Sequence, residues 1–149
     1  MNGIVLTLLA IFGGVCLAAQ SGFNSTLGVM LKSPLLATIS AFITSTCFAF
    51  IYVLCNAKQL PKWNSIEQIP IHLWFTGGLL SLLGITIYYY TIPKLGMSTM
   101  ISLGLSGQIL FSVIAGHYGW LNLPTEPITF KRLFGVIMML SGVFLIHKP

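Results

Sequence analysis

Apolar residues run along this chain in five long blocks, roughly 3–31, 35–55, 71–92, 97–117 and 131–147, and polar residues gather in the stretches between them. A helix crossing a bilayer needs about 20 apolar residues, and most of the blocks reach that length. The pattern therefore predicts an all-α polytopic membrane protein, a single transmembrane domain over 1–149 with five transmembrane helices. The first block carries no charge from Gly3 to Leu31. As a helix it would be about 43 Å long, so a tilt or a bend near Ser21-Gly22 is expected. Lys32-Ser33-Pro34 reads as a tight hairpin, since proline suits the first turn of a helix. Residues 57–70, with Pro61, Pro70 and Trp63, form the longest polar connection, and Tyr118 to Thr129, with Pro124 and Pro127, the second. Ile92-Pro93-Lys94 reads as another tight turn. In the fifth block only Leu133 to Ile146 is free of charge. That is about 21 Å of helix, which spans if Lys131 and Arg132 snorkel to the headgroups.

Charge sharpens this picture. With five crossings, one set of loops holds Lys58, Lys62, Lys131 and Arg132 and the other Lys32, Lys94 and Lys148, four against three. The Lys/Arg bias of short loops sets insertion direction, so a near-tie predicts both orientations, able to meet as an antiparallel homodimer. Without the fifth crossing the count becomes five against two and a single orientation follows. Charged residues are 6% of the chain against about 25% in soluble domains. The net charge of +5 comes from basic residues lying singly or in pairs at block ends. No patch tracks a phosphate backbone, so nucleic acid is excluded as a partner and the lipid bilayer is expected.

Cys16, Cys47 and Cys55 lie within apolar blocks, odd in number and without a CxxC pair, so neither disulfide nor metal site is indicated. The N-terminus lacks the basic start and short apolar core of a cleavable signal, and the first block reads as retained. No HExxH, GxSxG, phosphate loop or GxGxxG occurs, and nothing near the hydroxyls would activate them, so no enzyme and no cofactor is expected. Glu67 and Glu126, the only acidic residues, fall in loops, and His72, His117 and His147 at block ends. A proton-driven exchanger built on an intramembrane carboxylate is disfavoured by that absence.

Neutral polar groups do enter the blocks in helical register. Gly13, Cys16, Gln20 and Asn24 share one face of the first; Thr44-Ser45-Thr46 sits mid-way along the second beside Ala37, Ala41 and Ala49 at four-residue steps. Gly77, Ser81, Gly84 and Tyr88 form a stripe in the third, and Gly104, Gln108 and Ser112 one in the fourth. Small residues at such spacing commonly let helices approach, so packing is favoured for Ala37, Ala41, Gly77, Ser81, Gly84 and Gly104. For Gln20, Asn24 and Gln108 two uses stay open: a hydrogen bond between helices, or the lining of a polar cavity where transporters hold substrate. Ser45 and Tyr88 are weaker lining candidates, because tyrosines 88–90 with Trp74 and Phe75 also suit an interfacial belt.

Gln20-Ser21-Gly22-Phe23-Asn24, Lys32-Ser33-Pro34, Trp74-Phe75-Thr76-Gly77-Gly78, Pro93-Lys94-Leu95-Gly96, Ser106-Gly107-Gln108, His117-Tyr118-Gly119 and the run from Gly135 to Gly142 follow one another in order. Together they resemble the YdcZ-type half-size branch of the drug/metabolite transporter superfamily, over essentially the whole chain. The pattern departs at Gly116, where the resemblance leads one to expect an acid before His-Tyr-Gly; the nearest acid is Glu126. The resemblance implies one half of a ten-helix inverted-repeat transporter in an inner bacterial membrane. Gly135 and Gly142 of the last block are expected to serve helix packing. A half restores the whole by pairing with an inverted copy about a two-fold axis in the membrane plane. The expected activity is transport of a small organic solute, neutral or weakly polar first, a lipophilic cation second. The alternatives are a non-transporting assembly subunit, or a half-transporter needing a different inverted partner.

Overall fold

A helix that is apolar on every side has no face to offer water, and it settles in a protein core or in lipid. The described residues form five long helices, α1 (Gly3–Met30), α2 (Pro34–Asn56), α3 (Ile71–Leu95), α4 (Met97–Tyr118) and α5 (Phe130–Ile146), with a 3-10 turn at Trp120–Asn122. The structure is a computed structural model and describes residues 3–56, 61, 66–122 and 124–146; no strand occurs among them. Helices α1 to α4 are each long and apolar enough to cross a membrane, and the protein is an all-α polytopic membrane protein. Large apolar side chains such as Phe23, Phe48 and Leu80 point outward along these helices, which only a lipid solvent makes favourable. Helix α5 has 17 residues, about 26 Å at the rise of an α-helix.

Hydroxyls survive in these helices because they bond to the carbonyl one turn back. Thr7, Ser21, Thr26, Thr44, Thr76, Thr91, Ser102, Ser106 and Ser141 all do so, at 2.6–3.1 Å. A side chain satisfied within its own helix needs no partner from a neighbour, even facing lipid. Helix α1 is continuous through Ser21-Gly22. The end expected at Ile92-Pro93-Lys94 lies further on: α3 runs through Pro93 to Leu95, and Gly96, φ 84°, separates it from the next helix. Proline already holds a helical φ, whereas the break falls where glycine adopts a positive φ without strain. The basic residues Lys58, Lys62 and Lys148, with Trp63 and His147, lie outside the described residues.

The helices fall into two compact units, Met1–Lys94 and Leu95–Pro149. In the first, α1 and α2 form a hairpin whose closure depends on Gly28. A Cβ there would lie 3.3 Å from Pro34 Cα and 3.5 Å from Ala37 Cβ. Lys32 takes the left-handed conformation, φ 53°, while the Ser33 amide reaches Gly28 O at 2.9 Å and the Lys32 amide reaches Val29 O at 3.0 Å. This is a Schellman ending, usually made with glycine. Ser33 then caps α2 through its hydroxyl to the Leu36 amide at 3.3 Å, with Pro34 at the first helical position. Ala37, Ala41 and Tyr89 form the buried core of this unit, with Leu27, Ile85 and Tyr88 packed against it.

The second unit is the α4–α5 hairpin. Gly119, φ 64°, ends α4 in the left-handed conformation, and Thr129 caps α5 through its hydroxyl to the Arg132 amide at 3.3 Å. Met100 and Ala115 are buried in α4; α5 has no buried residue.

Candidate functional site

Two amides of α1 converge on one phenol of α3. Asn24 Nδ2 donates to Tyr89 Oη at 3.0 Å and Gln20 Nε2 donates to the same oxygen at 3.4 Å. They reach it because positions 20 and 24 sit one turn apart on one face of α1. Tyr89 is only 2% exposed, and an α-helical tyrosine leans toward the N-terminus of its helix, here away from the membrane edge at Leu95. Asn24 and Tyr89 each stand six residues before the ends of their helices, Met30 and Leu95, about 9 Å along the axis. The cluster is thus off-centre, toward the side of the α1–α2 turn.

A second polar tie lies beside it. The Thr38 and Thr86 hydroxyl oxygens are 3.0 Å apart and join α2 to α3. The Thr38 hydroxyl is also 3.0 Å from the Pro34 carbonyl, and Thr38 is fully buried. A hydroxyl donates once and a carbonyl only accepts, so Thr38 gives its proton to the Pro34 carbonyl and Thr86 donates to the Thr38 oxygen. Ser25, 2% exposed, completes the buried polar residues. These contacts join three helices through side chains alone.

Of the lining residues expected from sequence, the structure brings Gln20 and Asn24 together. Tyr88 is half-buried against the Ala37–Ala41–Tyr89 core. Ser45 is exposed on α2, and Gln108 is exposed on α4 in the other unit. Tyr89, Thr38 and Thr86 escaped the sequence reading. The stripe that nominated Tyr88 ran through Gly77, Ser81 and Gly84, while the face that packs carries Ile85, Tyr89 and Ile92. That four-then-three spacing is the only signal that would have found it.

Among the expected packing residues, Ala37 and Ala41 are buried. A Cβ added at Gly77, Gly84, Gly135 or Gly142 would meet nothing within 4 Å among the described residues. Ser81 is exposed and Gly104 half-buried. The Gly77–Ser81–Gly84 face of α3 is thus uncovered. At the same end of α3, a cleft of about 600 Å³ opens between Phe42 of α2 and Trp74, Phe75, Leu79 and Leu82, largely apolar, with Thr76 its one polar side chain.

In the second unit the polar groups collect at the loop. The Glu126 amide donates to Gly116 O at 2.8 Å, and Glu126 Cβ lies 3.8 Å from where a Cβ on Gly116 would stand. Arg132 pairs with the Glu126 carboxylate and donates to its carbonyl at 2.9 Å, and the Ile128 amide donates to His117 Nδ1 at 3.3 Å. The loop thus brings the backbone and Cβ of Glu126 beside Gly116, with its carboxylate turned to Arg132. No group of three or more metal-ligating residues occurs among the described residues.

Compared with known proteins, residues 5–145 match the family described as "Putative inner membrane exporter, YdcZ". No curated protein and no solved structure matches the chain.

Proposed function

The chain belongs to the YdcZ inner membrane exporter family, and from that premise we propose that it exports a small organic solute as an antiparallel homodimer. It is an integral inner membrane protein of an exporter family rather than of an enzyme family. The observation that carries the reading is the Gln20–Asn24–Tyr89 cluster, three hydrogen-bonding groups gathered inside lipid-spanning helices. A buried polar knot in apolar helices is costly unless satisfied, and in membrane proteins such groups mark pathways as often as packing. Gln20 and Asn24 line the cavity with Tyr89 behind them; Gln108, Ser45 and Tyr88 complete it from either protomer. With no carboxylate in the described helices, the solute is neutral or weakly polar.

Two observations support pairing with an inverted copy. The first is the four-to-three distribution of Lys and Arg between the loop sets that five crossings would give. The second is the uncovered Gly77–Ser81–Gly84 face, which has the small-residue spacing that lets helices meet. Arg132 reaches back to Glu126 in the loop, the direction that leaves Leu133 to Ile146 apolar for a fifth crossing.

The test has two parts. A single cysteine placed after Lys148, with the native cysteines replaced, is labelled by an impermeant reagent from each side; roughly half labelling from outside is expected, from the charge balance. Labelling from one side alone rules out the homodimer and calls for a different inverted partner. Everted vesicles are then screened for uptake of neutral solutes with Gln20→Leu/Gln108→Leu. Loss of flux with cross-linked dimers intact is expected. Intact flux in that variant, lost instead in Gly77→Leu, would make the chain an assembly subunit.

A further inference from the structure

We propose that a pocket beneath the α1–α2 turn binds a phosphate group, held there in the membrane by the headgroup of one anionic phospholipid. The pocket, of about 200 Å³, lies wholly in the first unit. Gly28, Tyr89, Tyr90 and Pro93 help wall it, and Lys32 and Lys94 stand on it together.

Two lysines lining one small concavity bring positive charge to it, which an anion bound there would offset. Among the described residues of the first unit, no acidic side chain lies at that end. The acidic residues of the chain are Glu67 and Glu126; Glu126 is engaged by Arg132 in the other unit. Glu67 precedes α3, at the opposite end of that 25-residue helix from Lys94, about 37 Å away along its axis.

Both lysines are positioned rather than loose. Lys94 Nζ sits 3.5 Å from the centroid of the Tyr90 ring, which keeps it over the pocket edge. Lys32 occupies the left-handed position of the Schellman turn, φ 53°, where glycine would be unstrained. A cation held at a strained backbone position is an outlier that points to use. The remaining wall is aromatic and aliphatic, which suits a headgroup with its glycerol and upper acyl carbons better than a hydrated free anion. Lys32 and Lys94 both leave their helices on the same side of the membrane, at headgroup depth. The inference does not depend on transport. It reaches the candidate site through Tyr89, which helps line the pocket and whose hydroxyl accepts from Gln20 and Asn24.

The experiment is native mass spectrometry of the full chain released from phosphatidylcholine nanodiscs doped with phosphatidylglycerol. One phosphatidylglycerol per chain is expected to survive on the wild type and on Lys32→Arg/Lys94→Arg. Lys32→Gln/Lys94→Gln is expected to weaken retention about thirty-fold, each interfacial lysine being worth roughly a factor of five. Should the double variant fail to fold, judged by its helical circular dichroism, Lys94→Gln alone is expected to lose about fivefold. Unchanged retention in the glutamine variants, or equal retention of phosphatidylcholine, overturns the proposal. Displacement of the lipid by millimolar inorganic phosphate overturns the lipid as occupant and assigns the pocket to free phosphate.

Discussion

In Met1–Lys94 polar side chains turn inward and meet across helices: two amides on Tyr89, and Thr38 against Thr86. In Leu95–Pro149 the described polar ties gather where the hairpin ends: Glu126 on Gly116, Arg132 on Glu126, the Ile128 amide on His117. The first arrangement places hydrogen bonds where water is absent, so each fixes how one helix lies on the next. The second places them at the headgroup layer, where water competes, and leaves α5 without a buried residue. One membrane chain thus uses two kinds of polar tie, of very different leverage.

That contrast can be broken most forcefully at Gly28, where a Cβ already meets Pro34 and Ala37. Gly28→Leu is expected to destabilise the α1–α2 hairpin by roughly 1–3 kcal/mol, the usual range for overpacking, read as a lowered midpoint in denaturant titration. Gly77→Leu, with nothing within 4 Å of the glycine among the described residues, is expected to leave that midpoint unchanged in detergent-dispersed monomers. A comparable fall there would mean that α3 is covered within the chain.

Next in size is Tyr89→Phe, which strands two amide donors. About 1–2 kcal/mol is expected, from the cost of an unsatisfied buried donor tempered by measured values in membrane proteins. Asn24→Ala should cost more than Gln20→Ala, since its bond is 3.0 Å against 3.4 Å. The reverse order would place the main tie one turn deeper. Thr38→Val keeps the shape and removes the bond to Thr86; about 0.5–1.5 kcal/mol is expected in the same titration. The smallest effect belongs to Glu126→Gln. Its pair with Arg132 is partly exposed, so less than about 1 kcal/mol is expected, shrinking further with added salt. A larger, salt-insensitive loss would mean that the loop latch is shielded from water.

The fold was legible because lipid simplifies the rule. Apolar blocks become helices, and Lys, Pro and Gly mark their ends, so the hairpin at Lys32-Ser33-Pro34 could be anticipated residue by residue. Pro93 misled because proline signals a boundary only when the next residues cannot continue the helix, and Lys94 and Leu95 can. The site was half legible. Gln20 and Asn24 stand out in any apolar helix, being amides that must find partners. Their partner was not legible, since three consecutive tyrosines carry no phase, and a helix apolar all round has no face to orient it. Each residue turns the helix by about 100°; packing, not pattern, decides that Tyr89 turns inward while Tyr88 lies half out. Thr38 and Thr86 were hidden for a related reason: most hydroxyls here bond to their own helix, and sequence does not mark an exception.

The Tyr89 cluster stands about 9 Å along the helix axes from one end rather than at the centre. In a pair of chains related by an in-plane two-fold, an off-centre feature cannot coincide with its own image. In the antiparallel pair proposed above, one copy would lie nearer the outer leaflet and the other nearer the inner, so a single set of three residues would be present twice, once toward each side. Untying one knot while the other stays tied would then be a difference between two identical protomers, and the proposed passage would change its open side without any element needing to exist in two versions.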